Sequence, residues 1–268
     1  MQNKFIKQFA IAIALAGIAC AAQAHRPWML PSSTLIETER EAWVTIDGAI
    51  SEGLFDLDHL PLRMDGLTVT DPDGQTAPAP AATVGKFRSS VDLKLPKNGT
   101  YRVTLDATSV MGSYKLNGET KRFRATEQTV EKEIPAGASE VTRTTMVQRQ
   151  DTFVTLNKPT TAALKPVGTG LELVPVTHPN ELRAGEKATF RFQLDGKPLA
   201  NFPFSLVPGG VKYRGTINEV RLSTDARGEA SFTLPAPNMY WLSAKYPFTE
   251  SADTKRYSYS ATLEILPE

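Results

Sequence analysis

Ser90-Val91-Asp92-Leu93-Lys94-Leu95-Pro96-Lys97-Asn98-Gly99-Thr100-Tyr101-Arg102-Val103-Thr104-Leu105 carries the pattern that sets the fold class. Polar and apolar residues alternate strictly over 90–95 and again over 101–105, the two-residue period of a strand with one buried face. Pro96-Lys97-Asn98-Gly99 breaks that period with turn residues. The segment therefore reads as two antiparallel strands joined in a hairpin.

Runs of the same kind extend outward from it. In the first half they fall at 42–47, 67–70, 121–124, 142–147 and 153–156. In the second half they fall at 171–176, 188–194, 204–207, 220–224, 230–234, 240–244 and 258–265. Asp65-Gly66, Asp71-Pro72-Asp73-Gly74, Asn117-Gly118 and Asp195-Gly196 supply turn chemistry between them. No stretch shows the period of a long helix. The pattern predicts an all-β chain of two immunoglobulin-like β-sandwich domains in tandem after a cleaved signal peptide. Lys158-Pro159-Thr160 and Lys165-Pro166-Val167-Gly168 interrupt the strands and set the expected boundary. The division is 1–24 signal peptide, 25–160 N-terminal sandwich and 161–268 C-terminal sandwich.

The 268 residues carry a formal net charge of +1 and a single cysteine. No basic excess points to nucleic acid or anionic lipid. Lys4 and Lys7 precede an apolar run over 9–19, and Ala22-Gln23-Ala24 fits a signal-peptidase site. That run is shorter than the roughly 20 residues a permanent membrane helix needs, and no later run is long enough, so no transmembrane segment is expected in the mature chain. A competing lipoprotein reading would use Gly17-Ile18-Ala19-Cys20, with Gly17 a poor fit. Cleavage after Ala24 removes Cys20, so the core must form without disulfides. The expected compartment is the periplasm.

Cleavage there makes His25 the first residue. Its free amine and Nδ1 would close a six-membered chelate ring on one metal ion, each giving up a proton. Pro27 has no backbone N–H, which excludes a flat site built on successive deprotonated amides. The chelate would then be completed by side chains from elsewhere. The chain has two more histidines, His59 and His178. His59 lies in Leu54-Phe55-Asp56-Leu57-Asp58-His59-Leu60-Pro61, where Asp56 and Asp58 are further candidates. His178 lies in the turn Thr177-His178-Pro179-Asn180. His25, His59 and His178 form the candidate metal set, a nitrogen-rich shell suited to divalent nickel, cobalt, copper or zinc. Met29 and Met64 could add sulfur, and Trp28 could shield the site, although all three suit ordinary core packing as well. The bland alternatives are an exposed terminal histidine, a surface-loop histidine and a turn histidine. No nucleophile elbow, phosphate loop or His-Glu-x-x-His motif occurs, so no catalytic residue is assigned and no enzyme activity is expected.

Two resemblances follow from these residues. Gly196-Lys197-Pro198-Leu199, Thr224-Asp225-Ala226-Arg227-Gly228, Ser231-Phe232-Thr233-Leu234-Pro235 and Met239-Tyr240-Trp241-Leu242 resemble the immunoglobulin-like modules of bacterial surface and export proteins. His25-Arg26-Pro27-Trp28-Met29-Leu30-Pro31, Trp43-Val44-Thr45-Ile46-Asp47, Phe55-Asp56-Leu57-Asp58-His59 and the 171–180 segment ending Thr177-His178-Pro179-Asn180 resemble one larger family. It is a domain-of-unknown-function family of exported Gram-negative proteins often labelled NikM-like or nickel-transport-related. The resemblance spans essentially the whole mature chain and implies an exported, metal-handling β protein rather than a permease. It implies His25, His59 and His178 as ligands, and an envelope transport protein as partner. Two other classes stay open: a partner- or glycan-binding module without metal, and a copper-dependent oxidative enzyme using the terminal histidine.

Overall fold

The computed structural model describes residues 25–247 and 255–268. The expected leader, its cleavage site and Cys20 lie outside the described residues.

The all-β expectation holds. The strands of the first half are β1 (Arg26–Pro31), β2 (Leu35–Ile36), β3 (Ala42–Ser51), β4 (Leu60–Pro61), β5 (Leu67–Thr70), β6 (Thr76–Pro78), β7 (Thr83–Val84), β8 (Ser89–Leu95), β9 (Gly99–Leu116), β10 (Glu119–Ala125) and β11 (Ser139–Leu156). Those of the second are β12 (Leu171–Pro175), β13 (Lys187–Leu194), β14 (Lys197–Pro198), β15 (Pro203–Pro208), β16 (Val220–Ser223), β17 (Glu229–Thr233), β18 (Asn238–Tyr246) and β19 (Lys255–Ile265). Helix among the described residues is limited to short turns at Val130–Glu133, Ala162–Leu164 and Val211–Arg214.

These strands form three sheets among the described residues. The first runs β1-β3-β8-β7 with β4 against β3, and the third runs β12-β13-β14 with β17 against β13. Between them lies one large sheet, β16-β15-β18-β19-β11-β9-β5-β6, with β10 on β9 and β2 on β11. Strands from both halves of the chain meet in it where β11 pairs in parallel with β19, from Thr145↔Lys255 to Thr152↔Thr262.

Successive side chains of a strand point to opposite faces. On β11 this puts Val154 and Leu156 into a core with Ile46, Val91, Leu93, Tyr101, Val103 and Leu105, against the first sheet. It puts Phe153 into the other core, with Phe190, Phe192, Phe204, Leu242 and Tyr259, against the third sheet. The two sandwiches therefore lie on opposite faces of the same large sheet. The half made by β15, β18 and β19 is covered on one face by the third sheet; on the other, Val207 and Trp241 pack against Trp28 and Leu54 and the rest is left open.

The expected hairpin over 90–105 does not form. β8 pairs with β3 and β7 in the first sheet, whereas β9 pairs with β5, β10 and β11 in the large one. Pro96-Lys97-Asn98-Gly99 is a corner between sheets. A hairpin would lay Val91, Leu93 and Leu95 beside Tyr101, Val103 and Leu105 on one face. The corner instead turns the two rows toward each other, so each covers the other in a single core. The Tyr101 hydroxyl fixes the corner, donating to Lys97 O and accepting from Lys97 N–H, both at 2.8 Å. Tyr240 repeats the device in the second half by donating to Ala236 O at 2.8 Å. A tyrosine bonded back to the backbone at a strand corner is a hallmark of immunoglobulin-like sandwiches.

Runs 142–147 and 153–156 belong to one strand, β11. The polar residues between them read as a break, but their side chains are used. Arg149 pairs with Asp106 at 2.8 Å and Asp151 with Arg102 at 2.6 Å, both across the β9 pairing.

Candidate metal centre

β1 is an edge strand of the first sheet, and its pairing with β3 fixes where the described chain begins. Arg26 lies opposite Ser51, which leaves His25 beside Glu52. His25 Nε2 stands 3.5 Å from Glu52 Oε1, with both side chains substantially exposed.

The loop that follows β3 is held from within. The Asp58 carboxylate accepts the N–H groups of Glu52 at 3.1 Å and Gly53 at 3.0 Å. Ser51 Oγ accepts from Trp28 Nε1 at 2.7 Å and donates to Gly53 O at 2.6 Å. Leu54 is fully buried with Trp28, Ala49 and Val207, and the Phe55 ring meets the Trp28 ring edge-on at 5.5 Å between centroids. Trp28 thus serves as the anchor of this corner.

The loop returns His59 over the start of β1. The His25 and His59 rings stack with centroids 3.8 Å apart and planes 1° from parallel. Thirty-odd residues of chain separate them, and the β1–β3 register together with the Asp58 turn brings them together. Asp56 and Asp58 are committed elsewhere. Asp56 pairs with Lys212 at 3.2 Å, and Asp58 holds the loop backbone. Lys212 is correspondingly pushed above the ordinary lysine value by its hydrogen bond to Asp56. Met29 and Met64 are buried in the first core rather than turned to the histidines.

His178 is not brought to the pair. It sits where the two halves of the chain meet, buried, with both ring nitrogens engaged. Nδ1 accepts the Asn180 N–H at 3.2 Å, which places the ring hydrogen on Nε2. Nε2 lies 3.2 Å from Thr160 O and 3.0 Å from Thr100 Oγ1. Burial lowers its pKa from the ordinary imidazole value, which favours the neutral ring.

Among the described residues no cluster of three or more His, Cys, Asp or Glu side chains gathers as a metal site. The arrangement at β1 offers two imidazoles, and a third nitrogen would come from the His25 amine once residue 24 is removed.

Fold and corner together define a class: an all-β protein of two immunoglobulin-like sandwiches sharing a sheet, with an exposed histidine pair on an edge strand. Residues 22–247 match the family described as a domain of unknown function, DUF4198, and the chain belongs to that family. No curated protein matches. Among solved structures, the D0-D1 domain of intimin is 12% identical with a TM-score of 0.23, covering 89% of this chain and 97% of that one. An ICAM-5 D1-D4 ectodomain fragment is also 12% identical at a TM-score of 0.23, covering 90% of this chain and 51% of that one. The D00-D0 domain of intimin is 13% identical with a TM-score of 0.21, covering 90% and 100% respectively.

Proposed function

We propose that this protein is a periplasmic transition-metal-binding protein that captures or delivers a divalent metal for an uptake system of the cell envelope. The observation that carries the reading is the proximity of the His25 and His59 rings, whose centroids lie 3.8 Å apart, so that rotation of the rings out of their parallel stack would aim a nitrogen of each at one ion. Cleavage after Ala24 would add the His25 amine to those two imidazoles. Two imidazoles and an amine suit nickel, cobalt, copper or zinc. The resemblance of the His25–Pro31 and Thr177–Asn180 motifs to proteins labelled nickel-transport-related supports the same reading.

This chain's residues have distinct parts in the scheme. His25 supplies the chelate, His59 supplies the further imidazole, and Glu52 lies close enough to hydrogen-bond the His25 ring and orient it. Trp28 and the Asp58 turn hold the loop so that the histidines meet at little entropic cost. His178 is left out because its nitrogens are already bonded.

Expression with the native leader, followed by intact mass under denaturing and native conditions, tests this directly. The expected result is a chain starting at His25 that carries one metal, with His59→Ala weakening affinity by about tenfold or more. A His25-initiated chain that retains no nickel, cobalt, copper or zinc after titration sinks the proposal. So does a mature chain beginning at lipidated Cys20.

A further inference from the structure

The open half of the large sheet is not flat. It meets the edge of the first sheet at β1, and the corner between them is a groove of about 760 Å³. That volume lies within the ~300–1,000 Å³ range of small-molecule sites. Its floor follows from register alone. Arg221 lies opposite Ser205, Ser205 opposite Ser243, Ser243 opposite Ser260, and Ser260 opposite Gln150. One row therefore crosses β16, β15, β18, β19 and β11 on a single face. A second row, two residues along, reads Lys245, Ser258, Gln148.

Burial confirms that this face is the open one. The residues between these positions, Phe204, Leu206, Leu242, Ala244, Tyr259 and Ala261, fill the second core. Strands whose outer face only met water would be expected to carry scattered charge. This face carries a serine and glutamine floor with cations gathered at its rim. Arg26, Arg221, Lys245 and Arg256 line the groove, and Glu219 is the one carboxylate among its described lining residues. Burial alone would raise the Glu219 carboxyl, yet hydrogen bonds from Arg221 and Ser205 and the nearby Arg26 charge hold it below the usual range. The groove is thus a positive environment even with its carboxylate present, and a cleft focuses such a field.

Gln150 adds a second demand. Its Oε1 is buried with no hydrogen-bond partner. A buried acceptor left unpaired is costly, so a turn of this side chain, itself part of the groove lining, that lets a ligand donate to it offsets that cost. A carboxylate cannot donate; a hydroxyl can. Cations at the rim and an unpaired acceptor in the floor together specify a molecule with both groups. Pro27, Pro203, Val207, Leu222 and Pro247 add apolar surface, but with Phe204 and Tyr259 turned into the second core the aromatic platform on the open face is the half-buried Trp241, whose Nε1 donates to Pro27 O at 3.1 Å. A long glycan would want a run of such platforms.

We propose that this groove is a binding site for a small hydroxylated polycarboxylate, seated with its hydroxyl toward Gln150 and its carboxylates toward Arg221 and Lys245. His25 borders the groove, but the floor that would hold the ligand is built from other residues, and His59 lies outside the lining.

Citrate is the probe, titrated by calorimetry into metal-free full-length mature protein, with tricarballylate as the same skeleton lacking the hydroxyl. The expected result is saturable one-to-one binding of citrate that weakens with added salt. Tricarballylate should bind about tenfold more weakly, as should citrate to Arg221→Ala or Lys245→Ala, the loss expected for one hydrogen bond to a charged group. Both side chains are exposed, so these substitutions leave the cores intact. His59→Ala, outside the groove lining, should bind citrate unchanged while binding metal about tenfold or more weakly, which separates failure of this site from failure of the other. Absence of citrate binding overturns the proposal. Equal binding of tricarballylate overturns the role of Gln150, and binding of oligogalacturonate without citrate overturns the small-ligand assignment.

Discussion

At the scale of single residues, His178 shows why a histidine in a turn motif is a poor guide to ligation. Its hydrogen bonds form a directed circuit. Asn180 N–H donates to Nδ1, the Nε2 hydrogen is shared between Thr160 O and Thr100 Oγ1, and Thr160 N–H donates to Thr100 Oγ1. Thr155 Oγ1 donates to Asn180 Oδ1 at 3.0 Å, which leaves Thr100 to donate to Thr155 at 2.9 Å. Nδ1 is already taken up as an acceptor, so a second imidazole proton has no acceptor to go to. Thr177-His178-Pro179-Asn180 was legible as a turn, but Thr100 and Thr155 are far away in sequence, so its partners were not. The energetic sign follows from the lowered pKa. The unfolded chain takes up a proton near the ordinary value of about 6.5 while the folded chain still resists it. His178 thus contributes stability that is complete above that value and is lost as pH falls toward the folded one. Urea unfolding midpoints should drop between pH 7.5 and pH 5.5, and His178→Gln should flatten that drop while lowering stability at the higher pH. An unchanged slope in the variant would show that other groups set it.

At the scale of elements, β9 and β11 illustrate where alternation stops being informative. Their described lengths are 18 residues each, yet the sequence suggested only 101–105 of β9 and the two separate runs 142–147 and 153–156 of β11. Beyond Leu105 the β9 sequence Asp106-Ala107-Thr108-Ser109 has no apolar face, because nothing covers it. The distal part pairs with β10 as an arm stabilised by its own small cluster, Val110, Phe123, Ala125 and Val130. The turn at its tip was readable: Asn117 and Gly118 have φ of 52° and 82°, the two-residue loop that Asn-Gly favours. Phe123 lies directly opposite Gly112, and the ring packs over the glycine. A Cβ at Gly112 would stand 2.6 Å from Phe123 Cζ and would also collide with Thr142 O. Gly112→Ala must therefore move both the ring and a neighbouring strand, at a cost of about 1–3 kcal/mol. Amide exchange over 110–125 should accelerate in this variant while exchange over 42–47 is unchanged. Equal acceleration in both would mean that the arm and the first core open as one unit.

At the scale of the whole molecule, strand positions and the two sets of apolar runs could be read from the sequence, whereas the sharing of one sheet could not. Alternation states which side of a strand is apolar; it does not state which strand lies beside it. The parallel β11–β19 pairing joins segments more than a hundred residues apart and leaves no local trace. Its seam is stitched by a buried polar group. Asp151 Oδ2 receives Arg102 Nη2 at 2.6 Å and the Tyr259 hydroxyl at 2.8 Å, and Oδ1 receives Thr104 at 2.7 Å. Burial by itself would raise the Asp151 carboxyl, but the Arg102 charge and these hydrogen bonds outweigh it and hold it below the ordinary value. The carboxylate therefore stabilises the fold above the ordinary aspartate range, and that contribution fades as acid carries the pH down through the lowered value. Because Arg102, Asp151 and Tyr259 belong to three adjacent strands drawn from both halves, the two sandwiches should unfold together in one cooperative transition. Asp151→Ala strands the Arg102 charge in the interior and should cost about 3–5 kcal/mol, shifting the whole transition. Arg102 Nε is already buried without a partner, so the pair is not fully satisfied. The double variant Arg102→Met with Asp151→Leu should accordingly recover most of the loss, since an apolar pair of similar volume leaves no charge unpaired. Urea denaturation followed by tryptophan fluorescence and far-ultraviolet dichroism distinguishes the outcomes. Coincident curves in all three proteins support a single unit, and a split transition in Asp151→Ala would show that the shared sheet holds two sandwiches that fold separately.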